Sequence, residues 1–226
     1  MAWQPPEGMD EYLKSTELCD SDNQEIREKV RELIKDAKTP KEASVRIFFF
    51  VRDQIIYSLD CYDVRASDTL KKRIGLCSNK TNLQVALLRA AGIPARYHQV
   101  VLKKNCLKGI IPAFLYKSMP DKIWFHPWCE CYLSEKWISC ESLFDKALYD
   151  AISKKGIISK EQIPTIDWDG ENDLITISAW MIEDIGTFHS LDDVFRKAQK
   201  EELLPKIILQ ILFRFSNLYT NKLRKS

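Results

Sequence analysis

The sequence predicts an α+β fold. Apolar residues recur at helical spacing in the first third of the chain, and residues 95–140 are rich in β-forming residues around a tight turn. Helical spacing returns from residue 144 onward. With 226 residues, 45% of them apolar, the chain can bury one sizeable core without disulfides or metals.

The first helix is expected over residues 23–38, where Ile26, Val30, Leu33, Ile34 and Ala37 fall on one face and Asp22 offers an N-cap. The second is expected over 39–56. Thr39-Pro40-Lys41-Glu42 combines a capping-box pair with proline in the first turn, and Phe48-Phe49-Phe50-Val51 should lie largely buried. A short helix around 67–73 leads through Ile74-Gly75-Leu76 to a third long helix over 78–91, which Gly92 stops before Pro94.

Residues 95–102 read as a strand, and 103–122 as a connecting insertion with its glycine, proline and lysines. Strands over 124–133 and 136–140, joined at Ser134-Glu135, form a hairpin, and a helix follows over 144–154. The Asp167–Asp173 loop is acidic, but it lacks the ligand spacing of an EF-hand and reads as a turn covering the active-site side. Ser190 opens another helix with Asp193 at the capping-box position, and 203–223 forms the last. Eleven of the 17 residues from 203 to 219 are apolar. Packing on the domain is the first reading of that stripe, a homodimer contact the second, and a membrane-surface role the third because Arg214 interrupts the apolar surface.

Charge narrows the partners. Thirty-four basic and 32 acidic residues leave a net charge of +2, which gives no broad electrostatic reason to expect nucleic acid. Residues 1–22 hold six acids and one base, whereas 206–226 hold five bases and no acid; both runs read as solvated faces. The N-terminal residues lack a signal-peptide pattern and no stretch approaches a membrane span, so a soluble cytoplasmic protein without integral membrane association is expected. Seven cysteines, an odd number scattered along such a chain, argue against a disulfide framework.

One of them stands where chemistry is favoured. Cys77 follows a glycine-containing turn and directly precedes a helix, whose N-terminal amides and dipole favour the nucleophilic thiolate and could serve an oxyanion hole. A base must come from His98, His126 or His189. His126 opens a strand whose alternation sets it with Trp128, Glu130 and Tyr132, away from Cys129 and Cys131. An acid to orient the imidazole would come from the neighbouring strand: Glu141 is placed for this, with Asp145 the nearest rival. Zinc on His126, Cys129, Cys131 and Cys140 is opposed by the alternation and by the spacing, so neither metal nor cofactor is expected. Tyr132 reads as core, and Trp128 as either core or cleft.

Gly75-Leu76-Cys77, the helix after it, and Leu87-Leu88-Arg89-Ala90-Ala91-Gly92-Ile93-Pro94-Ala95-Arg96 resemble the nucleophile segment of the transglutaminase-like superfamily of papain-like cysteine enzymes. His126-Pro127-Trp128-Cys129-Glu130-Cys131-Tyr132-Leu133, then Trp137 to Asp145, is similar to its histidine and acid strands, with Glu141 where the family usually carries aspartate. The resemblance covers about residues 40–150. It implies one domain over 1–226 with that stretch as its core and a C-terminal helical extension from about 187.

It further implies a Cys77–His126–Glu141 triad acting on a peptide, protein or small amide through an acyl-thioester. Hydrolysis is expected ahead of transfer to an amine, because the resemblance does not extend to the additional domains of large cross-linking enzymes. The competing expectation is a binding or scaffold module on the same fold, motivated by the glutamate in the acid position.

Overall fold

The computed structural model describes Trp3 and residues 6–199 and 206–226. Its N-terminal part holds α1 (Gln24–Ile34), α2 (Pro40–Gln54), α3 (Ala66–Lys72) and α4 (Cys77–Ala90). Asn23, not Asp22, caps α1: its side chain accepts from the Glu25 N–H, while Asp22 accepts from the Ser15 hydroxyl. Thr39 caps α2 by accepting from the Glu42 N–H, but the Glu42 carboxylate turns back to the Lys38 N–H instead of closing the box on Thr39. Two short strands, β1 (Ile56–Tyr57) and β2 (Ile74–Gly75), pair in parallel on either side of α3, and so bring the end of α2 beside the start of α4.

The main sheet is antiparallel, with β3 (Ala95–Lys103), β4 (Lys122–Leu133), β5 (Lys136–Ser139) and β6 (Met181–Phe188) in the order β5-β4-β3-β6. Ser134 and Glu135 both take positive φ, as a two-residue hairpin requires, and this fixes the β4–β5 register with Glu130 opposite Ser139. The β3–β4 register sets Val100 opposite His126 and His98 opposite Trp128. β6, for which the sequence carries no strand signal, forms an edge strand on β3 with two register shifts.

Apolar side chains fill both faces of this sheet. One cluster joins Phe48, Leu83 and Leu87 of the helices to Tyr97, Cys129 and Cys131. The other joins Val100, Leu102 and Trp128 to Leu148 and Ile152 of α6 (Lys146–Lys154), to Ile177, and to Leu223. The insertion after β3 is more than a connection: it holds a 3-10 turn and α5 (Ala113–Ser118). The chain continues with α7 (Asp192–Gln199) and α8 (Lys206–Arg224). The Asp193 side chain and the expected helix start at 203 lie outside the described residues.

The acidic loop does not cover the cysteine side. Trp168 packs on Phe48, Asp167 pairs with Arg52 and Glu171 with Lys41, so the loop lies against α2. Asp169 folds it locally by accepting from the backbone N–H groups of Glu171 and Asn172.

Lys80, one turn into α4, is fully buried, and its ammonium donates to the carbonyls of Val51, Arg52 and Ile55 at the end of α2. Burial pulls its pKa down to about 7, with Asp145 and Asp53 partly opposing. An amine lowered in the folded state makes the unfolded chain bind more protons, so its contribution to stability rises with pH between about 7 and its ordinary 10.5. The unfolding free energy of the wild type relative to Lys80→Met is therefore expected to increase across that window in urea titrations.

Candidate active site

Cys77 is the first residue of α4 and is half-buried. Gly75 makes the approach to it possible, since a Cβ there would lie 2.8 Å from the Asn79 Cβ. Asn79 in turn holds the turn, accepting from the Leu76 N–H and donating to the Cys61 carbonyl. His126 and Glu141 are buried, 4% and 3% exposed. Glu141 Oε1 lies 2.7 Å from His126 Nε2, which leaves Nδ1 as the ring nitrogen not engaged by Glu141, and Cys77 and His126 line the same cavity.

The helix that carries the thiol also fixes β4, which carries His126, and the residues just after β5 that carry Glu141. Thr81 donates to the carbonyl of Pro127, next to His126. Gln84 donates to the Cys140 carbonyl and accepts from the Ser142 hydroxyl, gripping the backbone on both sides of Glu141. The second carboxylate oxygen of Glu141 accepts from the Thr176 N–H and hydroxyl and from the Ile177 N–H. Sequence reading had not found Thr176 or Gln84 as parts of this arrangement; each makes a long-range contact with no motif around it.

Burial is the largest influence on His126 and disfavours its charge, but negative charge at Cys77, the hydrogen bond to it and Glu141 together lift the imidazole to about 10. Because the folded value lies above the ordinary 6.5, this contributes stability that is complete below about 6.5 and is lost as pH rises through about 10. Titration of His126 followed by NMR should therefore show a strongly raised midpoint that falls toward the ordinary range in Cys77→Ala. An unchanged midpoint would show that the thiol is not the source of the lift. Burial pushes other thiols the opposite way from reactivity: Cys106 rises to about 12, and Cys19, Cys129 and Cys140 also rise.

The remaining sequence candidates lie elsewhere. Asp145 caps α6 through the Leu148 N–H and pairs with Arg224 of α8. His98 stacks on Trp128 and hydrogen-bonds Glu130 and Asp184, and His189 is exposed near Glu11. Trp128 is core, donating to the Ser139 hydroxyl, whereas Tyr132 is only half-buried, edge-on to Trp137. Cys129, Cys131 and Cys140 belong to the core on the helix side, while His126 is engaged by Glu141. No group of three or more His, Cys, Asp or Glu side chains among the described residues is arranged to hold a metal ion. A cavity of about 170 Å³ adjoins Cys77 and His126.

The fold and this cysteine-bearing helix are those of a known group of proteins, and the comparisons say which. The sequence model of the transglutaminase-like superfamily matches residues 27–142, and the chain belongs to that superfamily. The chain is similar in structure to a "Putative Cysteine Protease" from Cytophaga hutchinsonii, with TM-score 0.52 and 18% identity over 83% of this chain and 49% of that one. It thus spans about half the length of that structure, and the likeness concerns the fold. A "putative protease" from Parabacteroides distasonis aligns with TM-score 0.39 and 13% identity over 58% of this chain and 24% of that one. A search of curated proteins finds none that matches. No helix of the described residues is long and apolar enough to cross a membrane.

Proposed function

We propose that the protein is a cysteine hydrolase of amides or related acyl groups, with Cys77 as nucleophile, His126 as acid and base, and Glu141 as the group that orients the imidazole. The observation that carries this reading is the buried Glu141–His126 hydrogen bond, on an imidazole whose other nitrogen is left for Cys77. A glutamate in place of aspartate was the motive for a scaffold reading. Its 2.7 Å contact with Nε2 favours the enzyme.

In this mechanism the Cys77 sulfur attacks the carbonyl carbon while the N-terminal amides of α4 receive the developing oxyanion. Protonated His126 gives its Nδ1 proton to the departing amine, and the C–N bond breaks to leave an acyl-thioester. Water then attacks, passing a proton to His126; the C–S bond breaks, and the thiolate–imidazolium pair is restored. An amine in place of water would give transfer, and hydrolysis remains the proposed outcome.

Iodoacetamide labelling near pH 6 tests the pair directly. Cys77 is expected to react much faster than a cysteine of the unfolded chain, and Cys77→Ala to lose that labelling while still unfolding in one cooperative transition. Labelling at the unfolded-chain rate would overturn the proposal in favour of a scaffold.

A further inference from the structure

We propose that the cavity beside Cys77 is an acyl subsite for an uncharged, apolar group about the size of a leucine or phenylalanine side chain, an inference that rests on the catalytic reading above. Among the described residues, the cavity wall carries, apart from His126, no ionisable side chain other than thiols and the Tyr57 phenol; the rest is hydrocarbon and thioether. Leu102, Phe144 and Ile177 close it from the sheet, from the start of α6 and from the loop that holds Glu141. Leu107 and Met119, both half-buried, close it from the insertion.

Size and polarity both select the occupant. A cavity of about 150 Å³ lined by Leu, Ile and Phe side chains takes a benzene molecule, and the present cavity of about 170 Å³ offers similar room. A carboxylate or ammonium placed there would lose its hydration, and the charges at Cys77 and His126 are already committed to each other and to Glu141. The acyl side of the substrate is the part assigned to the cavity, because it stays bonded to sulfur through both half-reactions. The leaving amine must instead escape before water enters, which a slot walled on several sides would hinder. The insertion, which reads in sequence as a mere connection, thus becomes a determinant of specificity.

The test is acylation of the full chain by p-nitrophenyl acetate, butyrate and hexanoate, and by the succinate half-ester, with adducts located by peptide mass spectrometry. In each, the Cys77 sulfur–acyl bond forms as the carbon–oxygen bond breaks, and nitrophenolate leaves with the electron pair. Each added methylene should raise the second-order acylation rate about fourfold until the cavity is full. The succinyl ester should fall below the butyryl ester of the same chain length. Leu107→Trp, or Met119→Trp should the first not fold, should bring the hexanoyl-to-acetyl ratio close to one. A rate independent of acyl length, or a succinyl rate equal to the butyryl rate, would overturn the subsite and leave the nucleophile standing. No Cys77 adduct from any ester would overturn the catalytic reading and the subsite with it.

Discussion

Glu141→Gln is expected to lower turnover by about 10²- to 10⁴-fold, the range spanned by loss of general acid–base catalysis and by a carboxylate-to-amide change in a serine-protease triad. The reason lies in the two demands placed on this side chain. One oxygen accepts from His126 Nε2, while the other accepts from the Thr176 N–H and hydroxyl and from the Ile177 N–H. A glutamine has only one oxygen to meet both. Turned toward Thr176, it presents its NH2 group to His126, reverses the ring's preferred tautomer and removes the charge that supports the imidazolium. Turned toward His126, it sets two amide hydrogens against the backbone donors of a buried loop, at a cost of about 1–3 kcal/mol for the unsatisfied groups. The His126 midpoint should fall in the same variant, which separates an effect on the imidazole from simple loss of fold. Unchanged turnover in a folded Glu141→Gln protein would remove Glu141 from the mechanism.

Asp145→Asn should have the opposite profile, with a large effect on stability and little on His126. Asp145 and Arg224 form a buried pair, and Arg224 also donates to the Tyr57 carbonyl, so one guanidinium joins α8 to α6 and to β1. Burial works against the Asp145 charge, and Arg224 more than offsets it, holding the carboxyl below its ordinary range. Asparagine can still cap the helix with its one oxygen, but its NH2 then faces the Tyr57 N–H and Arg224, so the substitution removes the charge and one acceptor together. Removing one partner of a buried pair costs about 3–5 kcal/mol, which for a chain of this size lowers the thermal midpoint by on the order of 10 °C. The carboxylate's contribution is present above the ordinary aspartate range and is lost as pH falls through the depressed folded value, so the difference from wild type should narrow in acid. A drop in the His126 midpoint with Asp145→Asn, and none with Glu141→Gln, would reverse the choice of acid.

The two carboxylates show what could be read from the sequence and what could not. Cys77 before its helix, the hairpin around Ser134-Glu135 and the short interval to Glu141 are local patterns, and each follows from turn chemistry or period-two alternation. Choosing between Glu141 and Asp145 needed three dimensions, because the partner of Asp145 lies 79 residues away. β6 escaped notice because most of its residues are exposed and it shows no alternation of apolar and polar positions. The insertion reads in sequence as a connection, and neither its 3-10 turn nor α5 nor its place beside the cavity shows there, since a cavity wall is defined by what lies across from it. The cap of α1 moved by one residue, from Asp22 to Asn23, the scale on which helix ends differ.

The outer strand of the main sheet bears on how this protein behaves at high concentration. At the other side, β5 is shielded: the Leu174 N–H donates to the Ser139 carbonyl, and the Asp173 carboxylate takes the Ser139 N–H. β6 exposes Met181, Ile182 and Ile185, the kind of row that recruits a stray strand from a second molecule. Yet its two register shifts bend it, Gly186 departs from extended geometry with φ +102°, and Asp184 occupies the Gly186 N–H with its own carboxylate. With Glu183 adding a second acid beside it, the strand offers a distorted, polar template, which disfavours edge-to-edge pairing through this sheet despite its oily side chains.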